Sequence, residues 1–332
     1  AVVSWFDRPM GIYLVTGVAG FIGSALARAL LERGHKVRGI DNLLTGKREN
    51  LSEILSKMEF LEADLADPAA AAESCRGVDF VLHQAALPSV PRSVADPVET
   101  NRHNVDATLN LLVAARAAKV RRVVYAASSS AYGDTPTLPK REDMPASPIS
   151  PYAVAKLAGE LYMTSFQRVY GFETVSLRYF NIFGPRQDAN SQYSAVLARF
   201  ITAMLRGERP TIFGDGEQSR DFTYLDNCVA ANLLACEAPA AQACGRTFNV
   251  ATGRRATLNQ TFTLLKKITG FTGEALYADP RPGDIQHSLA DISLAEKHLG
   301  YKPRVDFEEG LRRTVEWYKE SGVRGQEPAV KG

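Results

Sequence analysis

Ile12-Tyr13-Leu14-Val15-Thr16-Gly17-Val18-Ala19-Gly20-Phe21-Ile22-Gly23 decides the fold. Its short run of branched residues reads as a buried parallel strand, and three glycines at spacing three follow at once. Ser24-Ala25-Leu26-Ala27-Arg28-Ala29-Leu30-Leu31 then carries apolar residues at helical spacing. Strand, glycine turn and helix together bring a pyrophosphate onto a helix N-terminus, where free N–H groups and the helix dipole favour an anion. The next strand, Lys36-Val37-Arg38-Gly39-Ile40, ends in Asp41. An acidic side chain at about this offset of twenty residues accepts hydrogen bonds from an adenosine ribose and repels a 2′-phosphate, favouring NAD over NADP.

Working outward, strand and helix signals alternate through the first half. Met58-Glu59-Phe60-Leu61-Glu62 runs to Asp64, Val78-Asp79-Phe80-Val81-Leu82-His83 to Gln84, and Arg122-Val123-Val124-Tyr125-Ala126-Ala127 to Ser128. A long helical stretch from Val98 to Ala118, carrying Leu109, Leu111, Leu112 and Val113, separates the last two, and its apolar stripe reads as core. Repeated units of this kind predict an α/β fold, a Rossmann-type doubly wound parallel sheet with ligands outside the C-terminal strand ends. The second half is less regular. Thr174–Tyr179 and Thr247–Val250 read as further sheet strands, with helices from about Tyr193, Asn227, Leu258 and Ser293. The expected division is a dinucleotide-binding domain over 11–180 plus about 221–253, and a smaller mixed α/β lobe over about 181–220 and 254–320. Residues 321–332 read as a tail.

The 332 residues carry a formal net charge of +2, which speaks against a disordered chain and against a nucleic-acid partner. Arg121-Arg122 reads as a loop-sized basic pair ahead of a strand. Four cysteines (Cys75, Cys228, Cys236, Cys244) form no CxxC pair and have no histidine at metal-ligand spacing, so no metal site is expected. They read as buried or semi-buried thiols in a reducing compartment, and with no membrane span or leader legible the expectation is a soluble cytoplasmic protein. His83 follows a strand with no partner nameable from sequence, and His287 falls in a loop.

Ser147-Pro148-Ile149-Ser150-Pro151-Tyr152-Ala153-Val154-Ala155-Lys156 carries the chemistry. Ser150 suits an N-cap and Pro151 a first helical position, which puts Tyr152 in the first turn and Lys156 one turn on, on the same face. A tyrosine titrates near ~10, so acting as a base near neutrality needs about 4 kcal/mol in favour of the phenolate. A lysine one turn away, the helix N-terminus and a cationic nicotinamide all act in that direction. Ser128-Ser129-Ser130-Ala131-Tyr132-Gly133 closes a strand on the ligand side, where a hydroxyl can relay or polarise a substrate proton.

Gly17-x-x-Gly20-x-x-Gly23, Asp41, Asp64-Leu65, the Ser128–Gly133 turn, Tyr152-x-x-x-Lys156 and Leu177-Arg178-Tyr179-Phe180-Asn181 resemble the extended short-chain dehydrogenase/reductases, from about Gly11 to Trp317. Ser219-Arg220-Asp221-Phe222, Arg281-Pro282-Gly283-Asp284 and His287-Ser288-Leu289-Ala290-Asp291 make the resemblance closest to bacterial UDP-N-acetylglucosamine 4-epimerases. The resemblance implies Tyr152 as base, Lys156 as its partner, Ser128 as catalytic hydroxyl and Ser129 as an assisting neighbour. It implies NAD contacts at Gly17, Gly20, Phe21, Ile22, Gly23, Asp41, Asn42, Asp64, Leu65, Gln84, Ala85, Ala86, Asn104 and Tyr179, besides Ser128, Tyr152 and Lys156. It places a UDP-sugar on Ser130, Asn181, Phe213, Arg220, Arg281, Asp284 and Ser288. The arginines suit a diphosphate on physical grounds, through charge-assisted bonds.

Several reactions share the keto–alcohol step at sugar C4. A 4,6-dehydratase carries an Asp-Glu pair where this chain has Ser129 and Ser130, which disfavours dehydration. A UDP-glucuronate 4-epimerase or UDP-glucuronate decarboxylase needs a cation near C6, for which Arg186 is the candidate. The expected reaction is C4 epimerisation of UDP-GlcNAc/UDP-GalNAc, with UDP-Glc/UDP-Gal also accepted, through a 4-keto sugar. Small Ser288 stands where the resembling epimerases carry a gatekeeper, while Pro88 replaces a glycine frequent in them. A non-catalytic NAD-binding regulator is the reading from another class; such proteins lose the Tyr/Lys pair or the glycine turn. A homodimer through the Val98–Ala118 and Tyr152 helices follows from resemblance alone.

Overall fold

The computed structural model describes residues 10–189, 196–280 and 285–322. Strands and helices alternate from the start: β1 (Ile12–Thr16), α1 (Phe21–Glu32), β2 (Lys36–Asp41), β3 (Glu59–Glu62), α2 (Pro68–Ser74) and β4 (Phe80–His83). Next come α3 (Val90–Ala95), α4 (Pro97–Asn101), α5 (Ala107–Ala117), β5 (Arg122–Ser128), α6 (Pro151–Tyr170) and β6 (Glu173–Tyr179). Short pieces follow: β7 (Ile182–Phe183), α7 (Val196–Leu205), β8 (Thr211–Phe213), β9 (Ser219–Arg220) and β10 (Thr223–Tyr224). The remaining elements are α8 (Leu225–Glu237), α9 (Ala240–Ala243), β11 (Arg246–Val250), β12 (Ala256–Thr257), α10 (Leu258–Thr269), β13 (Leu276–Ala278), α11 (Ser293–Leu299) and α12 (Phe307–Glu320).

Seven strands form one parallel sheet in the order β11-β6-β5-β4-β1-β2-β3. The order reverses between β1 and β4, the switch point at which such sheets open a crevice. This is the doubly wound sheet the sequence predicts. Alternate side chains of a strand face opposite ways, so Val15 enters a core with Leu26, Leu30, Val229 and Leu299, while neighbouring Leu14 enters one with Leu111, Leu112, Met163 and Phe166. Helices α1, α8 and α11 therefore cover one face and α5 and α6 the other. A third core joins Phe183, Phe200, Ile201, Phe222, Phe262, Leu265 and Leu311 beside the sheet.

Three expectations need correction. The single helix from Val98 to Ala118 is two α-helices joined by a π turn at Arg102–Asp106. Its stripe is core only on one side: Leu111 and Leu112 are buried, whereas Val98 and Val113 lie 77% and 52% exposed. Arg122 is no loop cation, since it opens β5 fully buried, 2.7 Å from Glu173, and donates to the Ala235, Cys236 and Ala238 carbonyls. Helix α12 adds an element beyond those expected: Asp306 caps it by accepting from Glu309 N, and Leu311, Val315 and Tyr318 face the core at helical spacing.

Candidate active site

Gly17 adopts φ +64°, and a Cβ there would sit 2.8 Å from the Ala85 backbone nitrogen; at Gly23 it would meet the Gly17 carbonyl at 2.1 Å. No side chain larger than hydrogen fits either place. Helix α1 starts at Gly20 without a side-chain cap, leaving its first N–H groups for an anion. At the end of β2 the buried Asp41 carboxylate accepts from Ala19 N (2.9 Å) and Leu43 N (2.8 Å). Burial raises its pKa against those two bonds.

A crevice of about 600 Å³ opens along these strand ends. Its lining includes Gly17, Gly20, Phe21, Ile22, Gly23, Asp41, Asn42, Asp64, Leu65, Gln84, Ala85 and Ala86 on one side, and Ser128, Ser129, Tyr152, Lys156, Tyr179 and Asn181 on the other. The uncapped helix end, the glycine-lined floor and the Asp41 carboxylate at the next strand end fit a dinucleotide. Asn104 does not line it. The π turn buries its amide behind the wall, where it accepts from Leu87 N (2.7 Å) and donates to Leu87 O (3.3 Å). Asn232, unremarked in the sequence, ties Gln84 to Tyr179 from α8. His103 of the same π turn lies 3.5 Å from Asp64 and also faces the crevice.

Helix α6 begins as its sequence dictates: the Ser150 hydroxyl accepts from Ala153 N, Pro151 fills the first turn, and Gly171 ends it in the left-handed region. Lys156 is buried, donates from Nζ to Ala126 O at 2.8 Å and lies 5.0 Å from the Tyr125 ring centroid. Burial pulls its pKa down to about 7. Burial raises that of Tyr152, against a hydrogen bond with Ser128. Ser128 Oγ in turn accepts from Ser130 Oγ at 2.8 Å, which puts Ser130 behind Ser128, outside the crevice lining.

A second cavity of about 490 Å³ shares Asn181 and Ile182 with the crevice and reaches Phe213 and Arg220. Asn181 holds a positive φ of 42°, a conformation asparagine tolerates better than most residues. Its Nδ2 donates to Asp221 O (3.1 Å) and Ser288 Oγ (3.2 Å), so Ser288 is bonded to a residue that both cavities share, while itself outside the lining of either. Arg220 donates to the Ser219 and Gln286 carbonyls. Arg281 and Asp284 lie outside the described residues. Arg186 pairs with Glu53 at 3.0 Å and lies 5.9 Å from the Trp317 ring centroid.

The histidines do other work. His83 is fully buried between Thr16 Oγ1 (2.7 Å) and Thr108 Oγ1 (2.9 Å), and burial drags its pKa to about 3. His287 bonds Ser219 Oγ at 2.9 Å. Burial pushes the Cys75 and Cys244 thiols up to about 11 and those of Cys228 and Cys236 to about 12, too high for thiolate chemistry. Among the described residues no cluster could hold a metal and no helix is long and apolar enough to cross a membrane.

Residues 13–251 match the NAD dependent epimerase/dehydratase family. A UDP-glucose 4-epimerase of Mycolicibacterium smegmatis is 40% identical over 315 residues, 92% of this chain and 98% of that protein. The solved UDP-N-acetylglucosamine 4-epimerase of Methanobrevibacter ruminantium, in complex with UDP-N-acetylmuramic acid, superimposes with a TM-score of 0.90 at 43% identity, covering 95% of this chain and all of that one. A UDP-glucuronic acid 4-epimerase from Bacillus cereus, solved with UDP-glucuronic acid and NAD, gives 0.86 at 33% identity over 93% of this chain and 99% of its own.

Proposed function

Because the chain belongs to the NAD dependent epimerase/dehydratase family, we propose that it inverts C4 of a UDP-hexose, with UDP-GlcNAc and UDP-GalNAc preferred and UDP-Glc and UDP-Gal also taken. The observation that carries this choice is Ser288: a small side chain, bonded to Asn181 where the two cavities join, leaves room for a 2-acetamido group. Held along the crevice by the glycine turn and Asp41, NAD would supply the hydride acceptor and donor that inversion at C4 needs. Every other task falls to the chain. Gly17 and Gly23 admit the pyrophosphate, and Asp41 takes the adenosine ribose. Tyr152, assisted by Ser128, accepts the 4-hydroxyl proton and gives it back after the 4-keto sugar has turned over. Lys156, one turn along α6 and with its pKa pulled down to about 7 by burial, favours the ionised phenol whenever it carries its proton. Phe213 lies against the uracil, while Arg220 and Arg281, with Asn181 and Asp284, anchor the UDP so that only the sugar rotates. The division into a cofactor domain and a sugar-nucleotide lobe belongs to the same proposal.

Uronate chemistry is the second reading: Arg186, the cation it would call on, lines the crevice, and its pair with the exposed Glu53 is worth only about 0–1 kcal/mol. A homodimer also belongs to this reading. Val98 of α4, Val113 of α5 and Val154, Leu161 and Val169 of α6 form an apolar set left exposed, as a helix-to-helix contact with a second copy requires. The direct test incubates the purified protein, without added reductant, with UDP-GlcNAc, UDP-Glc and UDP-GlcA in parallel, and resolves products by NMR. The C4 epimer of UDP-GlcNAc should appear fastest. A UDP-pentose and carbon dioxide from UDP-GlcA alone would make the protein a decarboxylase instead. Ser288→Tyr should lower kcat/KM for UDP-GlcNAc at least about tenfold, the low end of what a single pocket methylene is worth, and spare UDP-Glc. Undiminished N-acetyl turnover in that variant removes the gatekeeper.

A further inference from the structure

Arg178 touches every element that carries Ser128, Tyr152 and Lys156. It sits in β6 in register with Ala127 of β5, one residue before Ser128. Its guanidinium forms a fork on Glu160 of α6, Nε to Oε2 at 2.9 Å and Nη2 to Oε1 at 2.6 Å. Glu160 stands one turn after Lys156 on the same helix. The guanidinium also lies 4.5 Å from the ring centroid of Tyr132, which closes the short turn Ser129–Tyr132. That ring is fastened from beyond, its hydroxyl donating to Asn249 Oδ1 at 2.7 Å. The Arg178 and Glu160 side chains are only 5% and 8% exposed.

Two charges taken out of water regain little net stability by pairing, and apolar side chains of similar volume would often hold the fold as well. What an arginine adds is direction. Its planar fork fixes a carboxylate along two bonds, and its face fixes an aromatic ring. We propose that Arg178 is a positioning residue, which sets the Tyr152–Lys156 turn of α6 against the Ser128–Tyr132 turn through Glu160 and Tyr132. This rests on the assignment of proton handling to Tyr152 and Ser128. Proton transfer requires those two groups within hydrogen-bond reach, and a misplacement well under one side-chain width costs rate rather than binding.

Arg178→Met/Glu160→Met removes both charges and keeps most of the volume. The double variant should fold and retain NAD, with KM for UDP-GlcNAc within about threefold of wild type and kcat down at least about tenfold. Arg178→Lys, which keeps the charge and loses the fork, should fall in kcat as well. A double variant with wild-type kcat overturns the positioning role, and if it does not fold, wild-type kcat in Arg178→Lys does the same. A wild-type protein that converts no UDP-sugar would sink the proposed function alone. Crystal structures then decide this question without substrate: the Tyr152 Oη to Ser128 Oγ separation should change by more than about 0.5 Å in the double variant, and an unmoved pair overturns the assignment.

Discussion

On the crevice side, Ser128, Tyr152 and Lys156 hang from a strand of seven residues and a helix of twenty, whereas on the far side Asn181, Arg220 and Ser288 belong to two-residue strands and the loops between them. The first region draws its order from ladders and buried apolar faces. The second has its own apolar core around Phe183 and Phe222, but its site loops are tied together at one buried carboxylate. Asp221, fully buried, accepts from Thr252 N (2.9 Å), Thr252 Oγ1 (2.7 Å), Gly253 N (3.0 Å) and Ala290 N (3.2 Å). Its own backbone meets Asn181 through the carbonyl and Ser288 through the amide. A regular scaffold can lose a side chain and keep its shape; a hub cannot.

Tyr152→Phe is therefore expected to act on chemistry alone. Turnover should fall roughly 10²–10⁴-fold, the usual worth of a positioned acid–base group, while NAD binding followed by calorimetry stays intact. Loss of NAD along with activity would mean that the crevice depends on single side chains as the far side does. Asp221→Ala should show the opposite pattern. Several donors lose their acceptor, at about 1–3 kcal/mol for each one left dry, so urea unfolding should reveal a loss of about 3 kcal/mol or more. KM for the UDP-sugar should rise as Asn181 and Ser288 come loose. The matched variant Asp41→Ala frees only Ala19 N and Leu43 N, and should lose NAD affinity with a smaller loss of stability. Equal losses in the two variants would erase the contrast.

The same contrast explains what the sequence could reveal. Periods of two and 3.6 residues, glycines where a Cβ would strike the Gly17 carbonyl, and the Ser150-Pro151 start of α6 are local signals, and they led directly to the crevice. Asn104 fell one layer too far forward, because an α-helical reading of Val98–Ala118 cannot register the π turn that aims its amide at Leu87. Asp221 was legible only as part of a motif. Its partners lie 31 to 69 residues away, and no periodicity encodes such pairings. Arg178 too was legible only as part of a motif, its fork being formed across 18 residues between different elements.

Within the crevice half, His83 supplies a pH test. Held near 3 by burial, it refuses a proton that the unfolded chain takes up from about pH 6.5 downward. The folded state thus binds fewer protons in that window, and stability falls as the pH falls, by about 2 kcal/mol between pH 6.5 and 5 from this group. His83→Gln keeps a donor and an acceptor for Thr16 and Thr108 and has no charge to gain. Urea midpoints measured across that range should fall less steeply in His83→Gln than in the wild type. Parallel slopes would show that the acid sensitivity resides elsewhere.

The smallest effect is expected where the two regions meet at the surface. Lys47, after β2, lies 3.1 Å from Asp188, beyond β7, with side chains 48% and 39% exposed. Both residues line the crevice, so the pair crosses its mouth. Exposed pairs contribute about 0–1 kcal/mol, because water solvates both charges well and salt screens what remains. Asp188→Asn should accordingly change the NAD dissociation rate by less than about fivefold at low salt, and by nothing measurable at molar salt, where the screening length shrinks to about 3 Å. Stopped-flow displacement of bound NAD reads this directly. A change beyond about tenfold that survives molar salt would mean that the loop after β7 closes the crevice as part of the cofactor scaffold, and the division between a ladder-built half and a hub-built half would have to be redrawn through that loop.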